Sequence, residues 1–144
     1  MRILIAIVSI FAILCPVALA DHGAKYFSVR LPDDWRHARR ISLVFENLTA
    51  PANRAFKVRV TIKSANGENA VLGSAPIEAI GPTRAGNRSI PAVRLDVTRA
   101  LRRILETRPD TTKVELVIEA VGARGQHIED LEWDVRNVVF ETAK

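Results

Sequence analysis

"ISLVFENLTAPANRAFKVRVTIKS", residues 41–64, holds two runs of alternating apolar and polar residues around a break that contains Pro51. In the first run Ile41, Leu43 and Phe45 fall on one side. In the second, Phe56, Val58, Val60 and Ile62 alternate with Lys57, Arg59, Thr61 and Lys63. A two-residue period sends successive side chains to opposite faces of a strand, so each run buries one face and wets the other. Proline has no N–H to give to a sheet ladder, which places the break in a loop. The expected product is a hairpin. One-sided strands of this kind belong to antiparallel sheets, since parallel sheets are covered on both faces.

The pattern continues on both sides. "YFSVRL", residues 26–31, reads as an opening strand, and "WRHARR", 35–40, as a helical turn or loop. Beyond the turn "ANGEN" comes "AVLGSAPIEAI", a strand broken by Gly73 and Pro76, and then "GPTRAGNRS", 81–89, a surface loop. "PAVRLDV", 91–97, is strand-like. From there Val97, Ala100, Leu101, Ile104 and Leu105 take helical spacing, with Asp96 or Thr98 as a cap and "RPD" as the stop. "KVELVIEAV", 113–121, and "LEWDVRNVVFE", 131–141, alternate again. In the last, Leu131, Trp133 and Val135 share a parity that Val138 and Phe140 do not, so a β-bulge is expected near Arg136 and Asn137. Seven to eight short strands and one short helix predict an all-β fold, an antiparallel, jelly-roll-like β-sandwich.

The first residues match an export signal: Arg2 gives a positive start, Ile3 to Leu14 an apolar stretch, and Ala18-Leu19-Ala20 a small-residue cleavage site. An uncleaved anchor is the rival reading, but the stretch is short for a membrane helix, which needs about 20 residues. The expected organisation is a signal peptide over 1–20, an N-terminal strand and connecting segment over 21–39, and a sandwich over 40–142. The protein would then be periplasmic or secreted, with no membrane contact after cleavage. Cleavage removes the lone Cys15, so zinc-finger, iron–sulfur and cysteine-nucleophile chemistry are excluded. It also removes Arg2, leaving 20 of the 21 basic residues against 16 acidic ones. These are scattered along the chain without interleaved aromatics, so no nucleic-acid partner is expected.

Candidates for chemistry are sparse. His37 and His127 have no partner at metal-ligand spacing, and His127 with Glu129 supplies only two ligands. After cleavage His22 would be the second residue, where the free amine and imidazole form a weak copper chelate. Ser74, in "LGSAP", lacks the strand–turn–helix context of a nucleophile elbow. Asp33-Asp34 and Glu129-Asp130 are adjacent carboxylates in loops, not carboxylates facing across a cleft. Asn47-Leu48-Thr49 and Asn87-Arg88-Ser89 fit the glycosylation sequon. No catalytic residue, metal site or cofactor is expected, and the chain reads as a non-enzyme. The residues that remain are basic. Arg99, Arg102 and Arg103 on the helix, with Arg36, Arg39 and Arg40, would form a docking patch for an acidic partner if folding brings them together. Trp35 is the candidate anchor of that patch, or else a cover for one end of the sandwich.

From Arg40 to about residue 142 the order of segments resembles the C-terminal domain of polyphenol oxidases and tyrosinases, called KFDV in plants. "AFKVRVTI" stands where that family has its Lys-Phe-Asp-Val strand, with Lys57 in place of the aspartate. "VLGSAPI", "VRLDVTRALRRI", "KVELVIEAVG" and "DVRNVVFE" follow in the family's order. The resemblance implies a non-catalytic β-sandwich that, in the family, covers the entrance of a dicopper helical bundle. The bundle and its histidine sets are missing here. The chain is therefore expected to act in trans, as an accessory or shield of a tyrosinase-type copper oxidase. The alternative is a stand-alone envelope module that binds a glycan or a protein.

Overall fold

A computed structural model describes residues 23–64, 68–81 and 83–144. The expected signal peptide and His22 lie outside them. Seven strands and one helix follow in order: β1 Lys25–Arg30, β2 Arg40–Pro51, β3 Phe56–Lys63, β4 Asn69–Ile77, β5 Asn87–Asp96, α1 Thr98–Ile104, β6 Lys113–Val121 and β7 Asp134–Ala143. They form two antiparallel sheets, β1-β6-β3-β4 and β5-β2-β7, packed face to face. The fold is the expected all-β sandwich. Five of its six strand-to-strand connections pass from one sheet to the other, the winding expected of a jelly-roll-like chain.

That winding corrects the reading of residues 41–64. β2 and β3 are not a hairpin, because they belong to opposite sheets. Their apolar faces meet across the core, where Leu43, Phe45, Leu48, Val58 and Val60 are wholly buried. The backbone of the connecting arch finds partners elsewhere. Ala52 N–H donates to Gly86 O at 2.9 Å, and Ala52 O accepts from Ile80 N–H at 2.8 Å. The loop between β4 and β5 thus takes the place of a hairpin partner, as backbone polar groups at a buried residue require. Among the described residues β3–β4 is the one pair of consecutive strands that share a ladder.

β4 is continuous, although Gly73 and Pro76 predicted a break. It is an edge strand, where a missing N–H costs no ladder bond. Its register against β3 shifts between Val60 and Thr61, which pair with Gly73 and Val71 and leave Leu72 as the extra residue. The bulge turns Leu72 into the core alongside Ala75 and Ile77.

No such bulge occurs at Arg136–Asn137. β7 keeps one register against β2 throughout, with Glu46 opposite Asn137 and Leu48 opposite Val135. All three strands of this sheet change parity at the same level instead. Glu46-Asn47, Pro91-Ala92 and Arg136-Asn137 are the paired outward residues, and Asn47 absorbs the change with φ 53°. Asparagine tolerates the left-handed region better than other side chains with a Cβ. On the outer face of the same sheet Val44 is 1% exposed, although it points away from the core. Its neighbours across the ladders are Arg94 and Val139, and the Arg94–Glu141 ion pair (3.5 Å) spans β2 from β5 to β7 above it.

The helix forms where the period changes. Val97, Leu101 and Leu105 are buried, and Ala100 and Ile104 pack against the same cluster. α1 touches β2 of one sheet and β4 of the other, so it stops one end of the sandwich. β1 against β7 and β4 against β5 close its sides. β1 pairs with β6 along its whole length and is part of the sandwich, not an appendage to it.

Candidate functional site

Register decides where the basic residues meet. β2 runs antiparallel to β5 with Ser42 opposite Asp96, so the residues just before Ser42 adjoin those just after Asp96. β2 also runs antiparallel to β7 with Arg40 opposite Ala143. Three chain segments far apart in sequence therefore converge at one end of the three-stranded sheet: the entry to β2, the whole of α1 and the end of β7. Between them lies an open groove of about 1080 Å³, lined by Arg39, Arg40, Arg99, Arg102, Arg103 and Lys144, with Asp96 its single carboxylate side chain. Six cations less one anion leave an excess of five. The whole chain carries the same formal excess, 21 basic against 16 acidic residues. Outside the groove the formal side-chain charges of the full sequence balance, 15 basic against 15 acidic, so the net excess coincides with the groove although most basic residues lie elsewhere.

Several contacts fix the shape of the groove. Ile41 N–H donates to Thr98 Oγ1 at 2.8 Å, and Val97 N–H donates to Ile41 O at 2.9 Å, which ties the start of the helix to β2. Thr98 in turn donates its hydroxyl to Asp96 Oδ1 at 2.6 Å and its N–H to the same oxygen at 3.0 Å. Thr98's hydroxyl, then its N–H, then the charge of Arg40 hold the Asp96 carboxyl below the ordinary value of 3.8, against a small opposing effect of burial. Asp96 is therefore ionised at neutral pH. Arg40 Nε lies 3.8 Å from Asp96 Oδ2. Arg102 donates through Nη2 to Ala38 O, and its Nε is buried without a hydrogen-bond partner. Arg39, Arg99 and Arg103 face no carboxylate within ion-pair distance among the described residues.

Trp35 and Arg36 do not join the patch. Trp35 is 6% exposed and belongs to the core, so it covers the sandwich and cannot serve as an exposed anchor. Arg36 sits 5.7 Å from the Trp35 ring and pairs with Asp110 at 3.7 Å. Lys144 is the lining residue that the sequence reading missed. It follows a strand end whose pairing with Arg40 could not be known from spacing.

Three of the four adjacent loop carboxylates are taken up in structural contacts. Both Asp34 oxygens accept from Thr142 Oγ1, at 3.0 and 3.1 Å, while Asp33 pairs with Arg30 and Asp130 with Arg54. Asn47 and Asn87 are exposed, and the latter lies in β5, not in the loop the sequence predicted. Among the described residues no three His, Cys, Asp or Glu side chains are grouped to hold a metal, and no helix is long and apolar enough to cross a membrane. No protein-family model matches the sequence, and no curated protein matches it either.

Proposed function

We propose that this chain is a non-catalytic, exported β-sandwich that docks a protein partner through its arginine-lined groove. The observation that carries the proposal is the convergence of five arginines on one groove that holds a single carboxylate. Arginine presents a planar fork of donors that matches carboxylates two bonds at a time, and a one-signed groove raises association rates and orients the partner. The resemblance of residues 40–142 to the C-terminal domain of tyrosinases makes a tyrosinase-type copper oxidase the first partner to try, with this chain acting in trans as its accessory or shield.

The glycan-binding alternative has less support. Sugar platforms are built from exposed aromatic rings, and both tryptophans are buried here. Tyr26 is the one strongly exposed aromatic among the described residues, and it lies outside the groove.

Affinity capture from the native envelope with the tagged chain, followed by assay of the eluate for copper-dependent phenol oxidation, tests the proposal. Co-elution of an oxidase whose activity falls when this chain is added back is the expected result. Tyrosinase-type enzymes that keep their activity and elution position in its presence would refute the partner assignment.

A further inference from the structure

Resting on the docking reading, we infer that the groove takes an acidic peptide segment of the partner, its carboxylates reaching from Arg39 and Arg40 at the entry to β2 to Arg99 and Arg103 on α1. The volume of about 1080 Å³ is large for one small anion. It lies just above the range of roughly 300–1,000 Å³ of pockets that enclose a drug-sized ligand, and it is open to solvent, so an extended segment of several peptide residues fits. The unpaired forks of Arg39, Arg99 and Arg103 are free to receive carboxylates. Arg102, held to Ala38 O, is oriented before anything binds.

Other polyanions suit the groove less well. Sequence-tolerant binding of single-stranded nucleic acid uses aromatic platforms, and no aromatic residue lines this groove. A membrane-surface site needs protruding apolar side chains beside the cations, and the exposed Tyr26, Val71 and Ile80 all lie elsewhere. Asp96, ionised at neutral pH, repels a ligand of continuous negative charge such as a sulfated polysaccharide. A peptide can set a backbone N–H or a lysine against it and place its carboxylates on either side.

The test is a titration of the intact exported chain with a fluorescently labelled glutamate-rich peptide, read by anisotropy. The same peptide with glutamine in place of glutamate, inorganic phosphate, heparin and phosphatidylglycerol vesicles are the competitors. The glutamate peptide is expected to bind and the glutamine peptide not, and raising salt should weaken the complex because exposed charges are screened. Arg99→Gln with Arg103→Gln removes two such pairs, a loss of about tenfold, within the range that two exposed pairs contribute. Circular dichroism of the double variant checks that its fold is unchanged. Equal binding of the two peptides, or heparin or vesicles binding while the glutamate peptide does not, overturns the inference. If the double variant loses the peptide but still captures the oxidase, the acidic-segment assignment falls and the docking proposal stands. If the parent chain binds the glutamate peptide, the double variant loses it and no oxidase is ever captured, the acidic-segment assignment stands and the oxidase partner falls; a double variant that binds as tightly as the parent overturns the inference.

Discussion

Thr98→Val is the most informative single substitution in this protein. Valine keeps the shape of threonine and removes only the hydroxyl that joins helix to sheet. Two things are lost: an acceptor for the N–H of Ile41, a wholly buried residue, and a donor to the Asp96 carboxylate. An orphaned buried N–H costs about 1–3 kcal/mol. The bond to Asp96 adds less, because that side chain is 61% exposed and water compensates it. The expected loss is therefore about 2 kcal/mol, read from urea unfolding at pH 7 as a lower midpoint with an unchanged slope. Thr98→Ser keeps the hydroxyl and should lose less than half as much. A second readout follows from linkage. The folded-state pKa of Asp96 lies below 3.8, so its carboxylate stabilises the protein above that pH, and the contribution fades as pH falls through the folded value. Thr98→Val removes the largest cause of the lowering, so the fall in stability on acidification should be shallower than in the parent. A variant within about 0.5 kcal/mol of the parent, with the same acid dependence, would refute the bridging role.

Leu101→Ala empties the buried anchor of α1 and should cost about 3 kcal/mol, with loss of peptide binding as the arginines of the helix lose their position; urea unfolding and anisotropy check both. Arg99 lies in the first turn of the helix, three and four residues before Arg102 and Arg103, with no acidic residue in that turn to offset it. Arg99→Gln should accordingly stabilise the chain by about 0.5 kcal/mol at low salt, and the gain should shrink at molar salt; thermal unfolding at two salt concentrations decides. Asn47→Val should cost about 1–2 kcal/mol because a β-branched side chain resists φ 53°, whereas Asn47→Gly should stay within about 0.5 kcal/mol.

The alternation in "KVELVIEAV" marked β6 to the residue, and the switch to helical spacing after Val97 marked α1. Both signals are local: they follow from which side of an element faces the core. What alternation cannot carry is the identity of the neighbouring strand. Residues 41–64 look the same whether β2 and β3 share a sheet or face each other across the core, and the pairing of β2 with β5 and β7 and of β3 with β4 and β6 decides between the two. The parity change in β7 was legible, but its cause was not, because a bulge in one strand and a shared change across three strands leave the same trace in a single sequence. The groove behaves likewise. Its arginines were visible as residues and their proximity was a conditional, settled by the pairing of Ser42 with Asp96 and of Arg40 with Ala143. Trp35 was ambiguous for a plainer reason: a polar neighbourhood in sequence says little about burial in space.

Because the chain threads so often between layers, the two sheets fill alternately: the four-stranded one lacks β6 until residue 113 and the three-stranded one lacks β7 until residue 134. β1 bonds only to β6, so the opening strand waits for residues 113–121 before it has any ladder partner. β2, central in its layer, waits for β7 at the far end of the chain. The pairing is dominated by contacts distant in sequence, a slow folding route by the standards of small proteins. A version cut short before β7 keeps every strand of the four-stranded sheet, but β2 is left with β5 as its one ladder partner and its other edge open.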